Sequence, residues 1–278
     1  MTEVAAEEQR RRGGVLAPDQ LLPFALPMLV LVLWTLVTTK GRFPVFVPPY
    51  LMPSPKTLAL EFWDFVFGTL HLNVYSGTFM SHALASIRRV GLGFLLAAII
   101  GVPIGVIAGS DHRFEWLVGP SVHGLRSIPG IGWLPLAMVW FGIGDKTAIF
   151  LVALAAFFPI YLNSVQGAAH IRPVWRRAAL MLGANRRSLL STVVLPGALP
   201  SVVAGLRLGL GLSWAYVVLG ELSGVSLGLG AVIMDARMMG EVTTVVVGMV
   251  SIAIIGRISD RLLLLALGRF AGRKGMAQ

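Results

Sequence analysis

The chain has 278 residues, 56% of them hydrophobic and 13% charged, a formal net charge of +10 and no cysteine. A mean hydropathy of +0.79 belongs in a bilayer and leaves no room for a separate soluble enzyme domain. The arginines fall mainly at the ends of apolar runs, where they set orientation, so the basic excess argues against nucleic acid; without cysteine there is no disulfide framework, thiolate nucleophile or Cys-ligated metal site.

Residues 1–20 read as a polar cytoplasmic tail, with Arg10, Arg11 and Arg12 just before the apolar run Leu21 to Val37. No small-x-small cleavage site follows that run, so it is expected as a retained first span rather than a cleaved signal. Residues 21–82 hold this helix and an external loop. The loop opens with the Pro-rich FPVFVPPYLMPSPKT, where proline enforces extended or turned backbone. Ser54-Pro55 then starts an amphipathic helix around Leu58 to Phe67, whose Phe62, Trp63, Phe65 and Phe67 are expected at interfacial depth.

Residues 83–268 are expected as an all-α core of five further spans. The second span, Val90 to Ser110, carries Gly101, Gly105 and Gly109 at intervals of four, the spacing that lets helices approach closely in lipid. Arg88 and Arg89 stand at its outer end, against the positive-inside tendency. The third, about Trp116 to Ile143, is interrupted by Pro120, Pro129 and Pro135 and contains Arg126. A helix broken in this way needs protein or water to satisfy its freed backbone groups, so it is expected to line a cavity or hinge. Thr147 to Ala169 makes the fourth span, about Val193 to Leu219 the fifth and about Val242 to Leu265 the sixth, with Gly220 to Glu241 as an external loop. Six spans put both termini, including the tail 269–278, in the cytoplasm.

The same topology makes residues 170–192 cytoplasmic. Arg172, Arg176, Arg177, Arg186 and Arg187 lie here without an acidic partner. Pro173 suits a helix start, Trp175 to Leu182 makes about two turns, Gly183 stops them and Asn185 can cap a following helix.

The pattern Ala178-Ala179, Gly183 and then Val193 with Leu195-Pro196 resembles the signature loop of ABC importer permeases, written E-A-A, three residues, G, nine residues, I-x-L-P. Arg177 stands where that family has glutamate. The segments LMPSPKT, SHALASIRRVGLGF, IPGIGWLPLAMVWFGIGDKT, LPGALPSVVAGLRLGLGLSW and GLGAVIMDAR extend the resemblance to the nitrate, taurine, alkanesulfonate and bicarbonate subfamily. The resemblance implies a cytoplasmic coupling helix between spans four and five, docking on an ATP-binding subunit through Arg176, Arg177, Ala178, Ala179, Leu180, Gly183 and Ala184. It implies a permease dimer in a bacterial plasma membrane, two ATP-binding subunits and an extracytoplasmic binding protein. ATP and Mg would sit on the partner, since GIGDKT places Asp145 before its lysine and fails as a phosphate-cradling loop. The cargo would be a small anion or zwitterion, with a thiamine-precursor pyrimidine or another small organic solute as the alternative.

Ionisable residues within spans are functional candidates, which singles out Arg126 and Arg207. Arg207, Trp214 and Glu221 recur every seven residues and form one stripe, facing either a central cavity or a helix seam. Asp235 and Arg237 are candidates for touching the binding protein or are solvated loop charges. Asp260 with Arg257 and Arg261 reads as an ion-pair cluster. A secondary transporter would carry intramembrane acids and repeats, and an enzyme would gather His, Asp or Glu in one place. Neither pattern is present in the sequence, so the chain is expected to be a translocation subunit without catalytic or metal-binding residues.

Overall fold

The structure, a computed structural model, describes residues 18–38 and 52–272. The expected tail up to residue 17, most of the Pro-rich stretch (39–51) and the last residues from 273 lie outside the described residues. Among the described residues every regular element is helical. They fall into two compact units divided between Glu61 and Phe62.

In the first unit, α1 (Pro18–Thr38) covers the expected first span, and Trp34 Nε1 donates to the carbonyl of Pro53 at 3.0 Å. The helix α2 (Pro55–Phe67) begins where Ser54 Oγ accepts from Thr57 N, with Pro55 following the cap.

The second unit takes in the end of α2 and every later element. Trp63 and Phe67 are exposed with ring centroids 4.2 Å apart. Phe65, expected with them at the interface, is instead buried edge-on against Phe79. The elements that follow are α3 (Phe79–Ser110), α4 (His112–Ser127), a 3-10 turn Gly130–Gly132, α5 (Trp133–Phe141) and α6 (Asp145–Ala169). Then come α7 (Pro173–Met181), α8 (Arg186–Leu189), a π-helical turn Leu190–Val194, α9 (Leu195–Glu221), α10 (Leu229–Met239) and α11 (Val242–Gly272).

Four stretches among the described residues are long and apolar enough to cross a membrane: Phe79–Ser110, Asp145–Ala169, Arg186–Glu221 and Val242–Gly268. The expected third span is not one helix. It ends at Ser127, bends through Ile128 and Pro129, and resumes in the 3-10 turn and α5, because Pro129 cannot donate to the helix and disfavours helical backbone at the residue before it. The second helix of the basic stretch is not separate either: Arg186–Leu189 runs through the π turn into α9. The expected loop Gly220 to Glu241 contains α10, whose Leu229, Gly230, Ala231, Val232 and Ala236 are buried.

Small residues set the register of the long helices. On α3, a Cβ at Gly93, Gly101, Gly105 or Gly109 would meet Val152, Ile160, Ser164 or Ala168 of α6, a constant offset, so the two helices run parallel. At Gly109 that atom would stand 2.2 Å from the carbonyl oxygen of Val165. On α9, Gly205, Gly209 and Gly220 meet Asn163, Ile160 and Ala148, a descending series that makes α9 antiparallel to α6. Lipid offers no hydrophobic drive for helix association, so close backbone approach supplies it through dispersion contacts. The shared core accordingly holds Ala97, Ala156, Ala168 and Ala198 among Ile160, Val194 and Val202.

Candidate functional site

The basic stretch folds as its residue types require. Pro173 occupies the first turn of α7, and the chain leaves that helix through Gly183 at φ 83°. Ala184 N donates to Ala179 O and Gly183 N to Leu180 O, both at 3.0 Å, which is the Schellman closure of a helix end. Asn185 Oδ1 then accepts from Ser188 N at 2.8 Å and opens α8. Arg177, Ala178 and Leu180 are exposed, Ala179 and Ala184 half-buried. Met181 and Leu182 are each 88% exposed, leaving an uncovered apolar tip beside Arg177.

Arg176 behaves differently from the outward-facing residue expected. Its guanidinium donates to Ala168 O at the end of α6 and reaches Ser110 O at the end of α3 (3.4 Å). These carbonyls lie in the last turns of their helices, where no intrahelical donor remains and the dipole favours a cation. Arg176 thus fastens α7 to the ends of two long helices. Nothing in the sequence alone separates Arg176 from Arg177; only the position of α7 against the two helix ends does.

The broken helix walls a cavity of about 470 Å³ with α6 and α9, within the range of small-ligand sites. Arg126 is its one charged wall residue among the described residues. Asn163, Tyr216 and Trp133 add polar groups: Asn163 Nδ2 is used on Pro159 O at 2.8 Å, while Trp133 Nε1 is buried without a hydrogen-bond partner among the described residues. A Cβ at Gly130 would stand 1.8 Å from the Tyr216 hydroxyl, so the glycine leaves room for the Tyr216 ring beside the break. Trp133, Asn163 and Tyr216 escaped sequence reasoning because they come from three elements distant in the chain, although the IPGIGW break did indicate a cavity.

The stripe on α9 is divided among neighbours and does not share the cavity. Arg207 makes a two-pronged pair with Asp260 of α11 (2.9 and 3.1 Å). Asp260 also meets Arg257 at 3.5 Å, so of the expected Asp260 cluster the Arg257 pair forms, and Arg207 joins it. Trp214 is buried, and its Nε1 donates to Ser259 Oγ at 2.9 Å. Glu221 is wholly buried and ion-paired with Arg89 at 2.6 Å. Trp214 and Glu221 therefore belong to helix seams, and Arg207 is already neutralised.

The Glu221 pair is the centre of a buried network. Arg89 also meets Asp145 at the start of α6 (2.6 Å) and donates to Leu227 O. Arg88 binds the other oxygen of Asp145. Glu221 accepts from Ser86 Oγ at 2.7 Å and Gly230 N at 2.8 Å, and Ser86 Oγ accepts from Leu229 N. His82 Nδ1 accepts from Gly228 N at 3.1 Å. The two arginines that the expected topology sets against the charge rule are thereby paired with two acids of the second unit. In the sequence both arginines stand out only as a mismatch with the charge rule, and nothing there names an acidic partner.

Beyond the same end of α3, Asp64 gathers the turn after α2. Its carboxylate accepts from the backbone N–H of Leu70, His71 and Leu72 (2.7 to 2.9 Å) and from Ser76 Oγ. Burial acts to raise its pKa, but these donors outweigh it and hold the group at about 2. Asp235 is exposed and accepts from the Tyr75 hydroxyl at 3.4 Å, while Arg237 is exposed nearby on α10. Burial, with the charge and hydrogen bond of Asp235 and the charge of Glu241, pushes the Tyr75 hydroxyl pKa up.

Residues 101–269 match the family model described as the binding-protein-dependent transport system inner membrane component. The chain is 34% identical over 255 residues to the putative aliphatic sulfonates transport permease protein SsuC of Bacillus subtilis, covering 92% of this chain and 88% of that one. It is 34% identical to the taurine transport system permease protein TauC of Escherichia coli (83% and 81% covered). With the bicarbonate transport system permease protein CmpB of Synechococcus elongatus it shares 31% identity (93% and 95% covered).

Proposed function

The chain belongs to the family of binding-protein-dependent transport inner membrane components, and from that premise we propose that it forms, as a dimer, the alternating-access pathway of an ATP-driven importer for small oxoanions or zwitterions. The family is one of transport permeases, so the work of the chain is translocation. Hydrolysis of ATP falls to two partner subunits and delivery of cargo to an extracytoplasmic binding protein.

The observation that carries this reading is the attachment of α7. Its outer surface presents Arg177 and an apolar tip, and its inner surface is tied through Arg176 to the ends of α3 and α6. A partner that moves α7 therefore moves two long helices with it. The proposed docking surface keeps Arg177, Ala178, Leu180 and the Gly183 turn, adds Met181 and Leu182, and assigns Arg176 to transmission. Arg177 reverses the charge of the family's glutamate and calls for an acidic group in the partner's groove.

The cargo class rests on the sulfonate, taurine and bicarbonate permeases above and on the cavity. Arg126 supplies a positive charge, Trp133 an unmet N–H donor and Tyr216 a hydroxyl, a donor set suited to an oxoanion. Arg126 remains the pathway residue, while Arg207, Trp214 and Glu221 serve the seams. On the outer side, Asp235 and Arg237 are proposed to touch the binding protein.

Reconstitution with the ATPase and binding protein tests both halves, with uptake of labelled taurine, an alkanesulfonate and bicarbonate as the readout. Arg126→Gln is expected to lower uptake about tenfold or more, by loss of one charge-assisted contact, while stimulated ATP hydrolysis persists. Arg177→Glu is expected to lower uptake and hydrolysis together, with rescue by charge reversal in the ATPase groove. Undiminished coupled uptake after exchange of residues 176–183 for a Gly-Ser linker would reject the docking role.

A further inference from the structure

Two adjoining clefts lie where α3 passes the π turn into α9. The first, about 330 Å³, is walled by Val102, Pro103, Val106, Leu190 and Leu195, and its one charged wall residue among the described residues is Arg187. The second, about 450 Å³, shares Ile107 and Leu190 with the first and adds Arg186, His112 and Asp111. Together they make one trough, apolar along the helix shafts and cationic where α3 ends and α8 begins.

Its dimensions and charge match one kind of occupant. From Val102 to Ser110 the α3 wall rises about 12 Å at 1.5 Å per residue, close to the roughly 15 Å hydrocarbon depth of a single leaflet. The π turn Leu190–Val194 opens the facing helix at this level. Arg186 and Arg187 are exposed, and no ion pair engages either among the described residues. The acid on the wall, Asp111, is used to cap α4 by accepting from Arg113 N at 3.0 Å, and His112 faces Glu115 at 3.8 Å. Two guanidiniums therefore confront one engaged carboxylate above an apolar floor.

We infer that this trough binds one anionic phospholipid, its phosphodiester between Arg186 and Arg187 and an acyl chain along Val106, Leu190 and Leu195. Basic pockets at the ends of membrane helices favour such head groups. A protein surface seated here would have to desolvate both guanidiniums, whereas a lipid phosphate meets them at the interface. The inference needs only that the chain spans a membrane and is independent of its cargo and its ATPase.

The full-length chain, purified in mild detergent with any subunits that accompany it and placed in mixed phosphatidylcholine–phosphatidylglycerol nanodiscs, provides the test. Native mass spectrometry and spin-labelled lipids should show phosphatidylglycerol retained over phosphatidylcholine by roughly five- to thirty-fold, the ratio one to two interfacial cations supply. The preference should vanish in Arg186→Gln/Arg187→Gln. It should also vanish in Ile107→Trp, which narrows the trough at an exposed residue that both clefts share and leaves both arginines in place. Equal retention of the two lipids by the parent chain would overturn the inference. So would a preference that survives Ile107→Trp or is competed away by free glycerophosphate, since a head-group anion alone would then suffice. Exclusion of both lipids by a second copy or another subunit seated in the trough would overturn it as well.

Discussion

At the scale of single residues, the decisive contacts are made by charges that the chain can least easily bury. Arg89 and Glu221 are almost wholly removed from solvent and hold each other at 2.6 Å. Removing one partner of a buried pair leaves an uncompensated charge, a loss of about 3–5 kcal/mol. Arg89→Gln is therefore expected to lower the unfolding midpoint in detergent strongly, and Arg89→Gln/Glu221→Gln to recover more than half of that loss. Additive losses in the double variant would show that the two side chains do not act as a pair.

Asp64 makes a pH-dependent prediction. Its folded pKa of about 2 lies below the ordinary 3.8, so the unfolded turn binds protons more readily than the folded one. The contribution to stability is complete above the ordinary value and is lost as pH falls from there through about 2. Protection of the Leu70, His71 and Leu72 amides, as exchange relative to the intrinsic rate at each pH, should hold from neutral pH down to the ordinary carboxylate range and fall below it. In Asp64→Asn protection should be low throughout and lack this step. Neither Asp64 nor Arg89 was legible as a site, because each acquires its partners from turns and helices that the sequence does not bring together.

At the scale of elements, proline and glycine were legible and side-chain direction was not. Pro173, Gly183 and Asn185 mark the ends of α7 and the start of α8 for local reasons, and the chain obeys them. Pro129 breaks the helix after Ser127 for an equally local reason. What periodicity cannot supply is the partner of a given face, which is why Arg176 reads as a docking residue and folds as an anchor. If α7 transmits motion through that anchor, Arg176→Gln should leave ATPase binding intact and uncouple hydrolysis from uptake. A matched fall in binding and uptake would instead return Arg176 to the docking surface. The wild-type α7 should also resist exchange more than the variant, because the lost bonds cap two helix ends.

At the scale of the whole second unit, ionic and hydrogen-bonded ties gather at the two ends of the contact between α3 and α6, and glycine contacts fill the length between. At one end Arg88 and Arg89 bind Asp145, and Arg89 also binds Glu221; at the other Arg176 holds Ala168 and Ser110. The proposed topology assigns the first end to the outside and the second to the cytoplasm. The absence of cysteine makes this directly testable with single-cysteine variants. Leu182→Cys should react with an impermeant maleimide only from the cytoplasmic side and Met238→Cys only from the outside, both being exposed positions. Labelling of either from the opposite side would invert the proposed orientation.

The sequence by itself determined an all-helical membrane chain, the glycine-stopped basic helix and the broken helix beside Arg126. Each follows from local backbone limits or from hydropathy summed along one segment, which need no knowledge of neighbours. Tertiary structure alone decided which charges are available. Arg207, Trp214 and Glu221 share one stripe on α9, yet α11 takes the first two and α3 takes the third. An ion pair depends on distance in space, and that distance was set by small residues bringing α3, α6 and α9 into register.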